Sequence, residues 1–212
     1  MDVCKINDAN CIAKAAATLQ AGGVILYPTD TLYGLGADAL SDEAVEKVRA
    51  IKGRENGKPI HAIFADLDSV GEYAEVNDFA RMLAKRYLPG PLTLVLKKRK
   101  EIQAGIARDI DTIGVRIPQN KFCRALAREF GRPFTTTSAN KSGKSPEHSV
   151  KDIVKQLGRG AKKIDLAIDA GELPPSEPST VIDLTGTRPI ILREGAIAAG
   201  EIWDELGVGM RE

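Results

Sequence analysis

The apolar residues of this 212-residue chain come in short bursts, and that pattern narrows the folds open to it. The bursts reach four residues at Val24–Tyr27, and five at Leu92–Leu96 if Thr93 is counted. A membrane-spanning helix needs about 20. Between the bursts, apolar residues recur at helical spacing: Ile12, Ala15, Ala16 and Leu19, then Ala44, Val45, Val48 and Ile51, then Phe79, Met82, Leu83 and Tyr87. A chain built this way packs helices against a sheet. Gly22-Gly23 stops the first helix, and Ser41 can cap the start of the second. Strands are expected at Val24–Tyr27, Ile60–Phe64, Leu92–Leu96, Ile113–Ile117, Phe134–Thr137, Leu166–Ile168, Val181–Leu184 and Ile190–Leu192. Further helices near 121–130, 149–157 and 200–206 complete the pattern. Some strands follow one another without a helix, which disfavours a purely parallel sheet. The expectation is α/β (α+β): about seven strands in one twisted mixed sheet flanked by helices, with residues 1–212 as a single domain.

Charge narrows the function. The net charge is only +1, but its distribution is uneven. Residues 1–80 carry 7 Lys/Arg against 13 Asp/Glu, residues 81–163 carry 20 against 6, and residues 164–212 carry 3 against 10. A block of +14 between acidic flanks points to anionic ligands such as nucleotide phosphates or RNA. Cys4, Cys11 and Cys123 make an odd number with no CxxC pair, which argues against a disulfide framework or a zinc site and suits a reducing cytosol. The N-terminus shows no basic start followed by an apolar stretch, so no signal peptide is read and a cytoplasmic location is expected. Only His61 and His148 are available, too few for multi-histidine metal binding.

Polar clusters sit directly after the expected strands, where ligand sites of α/β sheets collect. Tyr27-Pro-Thr-Asp-Thr-Leu-Tyr-Gly-Leu-Gly36 places hydroxyls and a carboxylate before a glycine-rich turn whose amides could face a ligand. Lys52-Gly-Arg-Glu-Asn-Gly-Lys58 offers three cations, as a phosphate clamp or merely a complement to a helix dipole. In Thr112-Ile-Gly-Val-Arg-Ile-Pro118, Arg116 lies in an apolar strand and needs an anionic partner, either a substrate carboxylate or an internal acid. Thr135-Thr-Thr-Ser-Ala-Asn-Lys-Ser-Gly-Lys-Ser-Pro146 concentrates short donors suited to phosphate, ribose or an amino acid, or forms a surface loop capping the next helix. Pro178-Ser-Thr-Val-Ile-Asp183 and Ile191-Leu-Arg-Glu-Gly195 repeat the theme. No Ser or Cys has an evident His base. This inventory fits chemistry driven by positioning and charge stabilisation.

Taken in order, these clusters, with Pro89-Gly-Pro-Leu-Thr-Leu-Val95, resemble the YrdC/Sua5 family of threonylcarbamoyl-AMP synthases over about 170 residues. The resemblance implies a YrdC-like fold with a concave basic face, in a short form lacking the extra C-terminal domain of longer relatives. It implies a nucleotidyltransferase that makes threonylcarbamoyl-AMP and pyrophosphate from L-threonine, bicarbonate and ATP, usually with Mg²⁺. The product would feed N6-threonylcarbamoyladenosine formation at position 37 of tRNA, completed by a separate threonylcarbamoyl transferase complex. By motif, Thr31, Arg116, Thr136 and Ser179 would hold threonine, with Arg116 on its carboxylate. Lys52, Arg54, Lys58, Thr112, Ser138, Asn140, Ser145 and Arg193 would surround ATP. No resident metal site and no catalytic side chain are assigned.

The run Lys58-Pro-Ile-His-Ala-Ile63 departs from the Asn-Pro-Leu-Ile-Val-His of many longer relatives. Lys58 replaces the amide, Ile63 replaces the histidine, and His61 falls two places early, so His61 is read as a strand residue and not as a ligand. Glu194 stands where the family often has proline. A second reading is a non-catalytic module that binds double-stranded RNA or tRNA on its basic face, although few aromatic residues are placed for base stacking. A third is carbamoyl transfer in hydrogenase maturation, where a related domain sits inside a much larger protein.

Overall fold

The computed structural model describes residues 1–53 and 59–207. Among these, ten strands and seven α-helices alternate along the chain. The strands are β1 (Asp2–Lys5), β2 (Ile25–Pro28), β3 (Tyr33–Gly36), β4 (His61–Ile63), β5 (Leu92–Lys97), β6 (Thr112–Arg116), β7 (Phe134–Thr136), β8 (Leu166–Asp169), β9 (Thr180–Asp183) and β10 (Ile190–Arg193). The helices are α1 (Cys11–Gln20), α2 (Asp42–Lys52), α3 (Leu67–Val70), α4 (Asp78–Tyr87), α5 (Lys121–Phe130), α6 (Val150–Leu157) and α7 (Ala199–Leu206). Each of the eight strands and six helices expected from the sequence has its counterpart. Caps fall where the residues predicted: Ser41 accepts a hydrogen bond from the Ala44 amide at 3.2 Å, and Gly22, at φ +71°, follows the end of α1.

The mixed α/β class holds, but the described strands number ten against the roughly seven expected, and they form two sheets and not one. Four run in the order β1-β8-β2-β3 and six in the order β10-β9-β5-β6-β4-β7, each with parallel and antiparallel pairs. The outer strands of the two sheets, β3 and β7, then meet. Leu35 donates to Thr137 O at 2.9 Å, Thr135 to Ala37 O at 2.8 Å, and Ala139 to Tyr33 O at 2.8 Å. These bonds form a seam across which the sheets continue into one another, so neither of those edges is left open.

The strand the sequence hid is β3. Its Tyr-Gly-Leu-Gly reads as a glycine-rich turn, yet it pairs antiparallel with β2, setting Gly34 against Tyr27 and Gly36 against Ile25. A Cβ at Gly34 would lie 3.1 Å from the Tyr27 ring, and one at Gly36 would lie 2.9 Å from both that ring and Ile25. The glycines therefore leave room for a fully buried tyrosine. The Leu35 amide, far from facing a ligand, is bonded into the seam. Two apolar clusters close the faces. One packs α2, α4, α6 and α7 residues against the sheets, and the other packs α1 and α5 over Ile25, Tyr27, Ile63 and Phe134.

Candidate functional site

A cavity of about 540 Å³ opens at the seam. Its walls are the turn between β2 and β3, the C-terminal end of β6, β7 with the loop that follows, and the segment leading into β9. Thr31, Arg116, Thr136, Ser138, Asn140, Ser145, Ser179 and Arg193 all line it, so the structure brings together eight of the twelve residues singled out above. Arg54 and Lys58 lie outside the described residues.

The turn is built locally. The Thr29 hydroxyl accepts from the amides of Thr31 and Leu32, both at 3.1 Å, and lies 2.7 Å from Leu32 O. That hydroxyl-to-backbone turn fixes Asp30 and Thr31 at the end of β2. Arg116, on the last residue of β6, reaches them. Its Nη2 donates to Asp30 Oδ1 at 2.6 Å and to Thr31 Oγ1 at 2.7 Å. Both side chains of this ion pair are more than 90% buried. Of the two partners the sequence left open for Arg116, the internal acid is therefore present. It does not use up the guanidinium, because Arg116 Nε is buried without a hydrogen-bond partner. A buried charged donor left unpaired is costly, so the fork has capacity for one further acceptor.

Across the cavity, Arg193 Nη2 donates to Ser179 O at 2.7 Å, and the Ser179 hydroxyl lies 2.8 Å from that of Thr93. No carboxylate pairs with Arg193 among the described residues. Burial first, and the positive charge of Arg116 second, pull its guanidinium below the ordinary arginine value. Two guanidiniums thus feel one another across a space lined with hydroxyls, an arrangement that an anion would relieve.

Lys52 and Thr112 have other positions. Lys52 ends α2 and is buried, and its Nζ donates to Ser138 O and, at 3.1 Å, to Asn140 Oδ1. It braces the Thr-Ser-Ala-Asn loop from behind and does not line the cavity. Asn140 completes that brace through Nδ2 to Lys144 O at 2.5 Å, while Ser138 Oγ meets Asn140 Oδ1 at 2.5 Å. Thr112 begins β6, at the opposite end from Arg116. It lines a smaller adjoining cavity of about 180 Å³, which shares Pro59 and His61 with the larger one.

Several lining residues were not singled out in the sequence. Thr93 is paired to Ser179, while Asp30, which is not itself part of the lining, is paired to the lining residue Arg116. Ser176 donates to Thr31 O at 2.7 Å from the proline-rich segment 171–179, whose residues 176–179 line the cavity. His148 and His61 line it as well. His61 is a strand residue, as expected, yet it faces the cavity. Thr93 carried a legible signal, being polar inside an apolar strand like Arg116. The others depend on which strands become neighbours.

Comparison with known proteins agrees with this architecture. A family model for Sua5, YciO and YrdC proteins, described as "Telomere recombination", matches residues 17–195. A protein of Methanocaldococcus jannaschii named putative threonylcarbamoyl-AMP synthase is 43% identical over 176 residues, covering 83% of this chain and 81% of its own. The crystal structure of Pyrococcus abyssi Sua5 complexed with L-threonine superposes with a TM-score of 0.87 at 36% identity, over 97% of this chain and 60% of that one. Escherichia coli YciO superposes with a TM-score of 0.80 at 31% identity, over 95% and 96% of the two chains.

Proposed function

The chain belongs to the Sua5/YciO/YrdC family, and from that premise we propose that it is a threonylcarbamoyl-AMP synthase, with residues 1–212 as its single catalytic domain. The observation that carries the reading is the unfinished hydrogen bonding of Arg116. A buried guanidinium with Nε unpaired, beside a threonine hydroxyl and within the field of a second arginine, suits the carboxylate of a small hydroxylated amino acid. Thr31, Thr136 and Ser179 offer short donors for that amino acid. The Pyrococcus relative of similar fold was crystallised with L-threonine.

In this reading bicarbonate supplies the carbon that joins the threonine amine, and the resulting carbamate oxygen attacks the α-phosphorus of ATP as the bond to pyrophosphate breaks. Nucleophile, electrophile and leaving group are all anionic. The chain's contribution is therefore to hold them close and to neutralise charge, which Arg193, Arg116 and the basic residues near 52–58 supply. Ser138, Asn140 and Ser145 form the nucleotide wall, and Lys52 keeps that wall in shape. Thr112 extends the same ligand path into the adjoining cavity.

Magnesium is read as arriving on the triphosphate. Among the described residues the cavity lining holds a single carboxylate, Glu177, amid hydroxyls, amides, imidazoles and cations, a poor set for a hard divalent ion, and no group of three or more His, Cys, Asp or Glu gathers there. No step is assigned to it. Among the described residues no helix is long and apolar enough to cross a membrane. With three buried free cysteines, a cytosolic setting supplying the tRNA-modifying transferase complex is the one we infer. Direct contact with tRNA is the subsidiary reading, resting on the +14 block.

The test is pyrophosphate release from ATP with bicarbonate and Mg²⁺, with and without L-threonine. Threonine-dependent release that is lost in Arg116→Ala supports the reading. Release indifferent to threonine, or none from folded protein that binds ATP, overturns it.

A further inference from the structure

The chain's only two histidines both line the cavity at the seam, and one of them occupies a specific place on its floor. β4 lies between β6 and β7. Ile63 pairs with Arg116, and His61 pairs with Thr136. Two residues apart on a strand, His61 and Ile63 share one face, so His61 stands one row along from Arg116, about 6–7 Å by strand rise. Gly114 lies in that row on β6, and a Cβ there would meet the His61 ring at 2.3 Å. The sheet thus omits a side chain where the imidazole sits.

The chemistry proposed above leaves a proton to be placed. Threonine arrives as an ammonium, and ammonium plus bicarbonate gives carbamate, water and one proton. The nitrogen loses its protons as the N–C bond forms, and bicarbonate loses one oxygen as water. The hydroxyls, amides and guanidiniums around the cavity do not accept a proton near neutral pH. Histidine is the side chain suited to that interval. With the carboxylate on Arg116, the amino group lies two bonds from the carboxyl carbon, across Cα, within reach of the next row of the floor.

We propose that His61 is the base that takes this proton, at a ring nitrogen, as the carbamate forms. The proposal rests on the synthase reading and adds to it a catalytic residue that the family motifs did not assign. His148 and Glu177 are the other lining groups able to accept a proton, but they belong to the loop after β7 and to the proline-rich segment, not to the floor beside Arg116. The charged groups facing His61 across the two cavities are Arg116 with its partner Asp30, Arg193, Glu177, Asp183 and the second imidazole, His148.

The experiment compares wild type, His61→Gln and His148→Gln in threonine-dependent pyrophosphate release from pH 5.5 to 8.5 at saturating bicarbonate, with threonine binding followed by calorimetry. The expected result is a wild-type rate that rises with pH across this interval. In His61→Gln that rise should be lost and the rate lower by ~10²–10⁴-fold, with threonine binding and the unfolding temperature unchanged. Added imidazole should partly restore a His61→Ala variant, which a purely structural role would not allow. A His61→Gln enzyme that keeps the rate and the acid limb overturns the proposal, and loss of that limb in His148→Gln alone moves the base to His148. A wild type that releases no pyrophosphate with threonine overturns the synthase reading itself, and the assignment with it.

Discussion

Lys98 and Arg116 are both buried cations at opposite ends of the same strand pair, β5 with β6, and they are satisfied in different ways. The Lys98 ammonium donates to Ala107 O at 2.8 Å and to Gln103 Oε1 at 3.2 Å, and so closes a loop against the sheet. Arg116 has a carboxylate and a hydroxyl on one nitrogen and nothing on Nε. A buried cation whose donors are met inside the chain holds structure, while one left short of an acceptor beside a cavity waits for a ligand. The two ends of one hairpin thus separate scaffold from site.

Substitution at Arg116 tests that contrast most severely. Arg116→Lys keeps the charge but loses the planar fork, so threonine-dependent pyrophosphate release should fall on the order of 10²–10³-fold. A variant that keeps full rate would erase the distinction between the two ends. Gly114→Ala should act on the site through its neighbour. The added methyl overlaps the His61 ring, so activity should drop while stability falls by about 1–3 kcal/mol, measured by assay and by denaturant unfolding. Lys98→Met should do the reverse and leave pyrophosphate release intact. With Ala107 O left short of a donor, it should lower stability by ~1–3 kcal/mol, read as a fall of roughly 2–4 °C in Tm per kcal/mol. Loss of activity without loss of stability there would break the comparison.

The smallest effect concerns Asp169, which the Lys5 ammonium at 2.5 Å, and then the Gly171 amide, hold below the usual carboxylate value. A carboxyl whose folded value is depressed adds stability above its unfolded value near 4 and loses it as pH falls through the folded value. Asp169→Asn should therefore cost well under 1 kcal/mol at pH 7, because Lys5 is largely exposed, and progressively less as the pH falls through the folded carboxyl's lowered value.

Which parts of this were legible follows from how each residue is determined. Strands such as β5 and helices such as α5 announce themselves by local apolar period, and Ser41 and Gly22 by local capping chemistry. β3 did not, because its glycines answer to the Tyr27 ring on another strand. Two further elements escaped notice. β1 buries only Cys4 of its four residues, and α3 is a single turn. In the site, Arg116 could be found as a charged residue inside an apolar strand, and Thr31 and Ser179 as members of polar clusters at strand ends. Asp30 and His61 could not be assigned their roles, because these depend on Arg116 and Gly114, which lie more than fifty residues further along the chain. Lys52 was legible as a cation near the site, but its part in bracing the loop from behind depends on where Ser138 and Asn140 come to lie.

The hydrogen-bonded seam between β3 and β7 has a thermodynamic consequence. The cavity takes Thr31 from one side of that seam and Thr136 and Ser138 from the other, so any ligand gripping both sides is coupled to the seam's opening equilibrium. Occupancy at 100 times Kd withholds about 2.7 kcal/mol from every excursion that parts the sheets. The amides of Leu35, Thr135 and Ala139 should then exchange their protons for deuterium about a hundredfold more slowly, while amides in α1, remote from the seam, keep their pace unless they too open by parting the sheets.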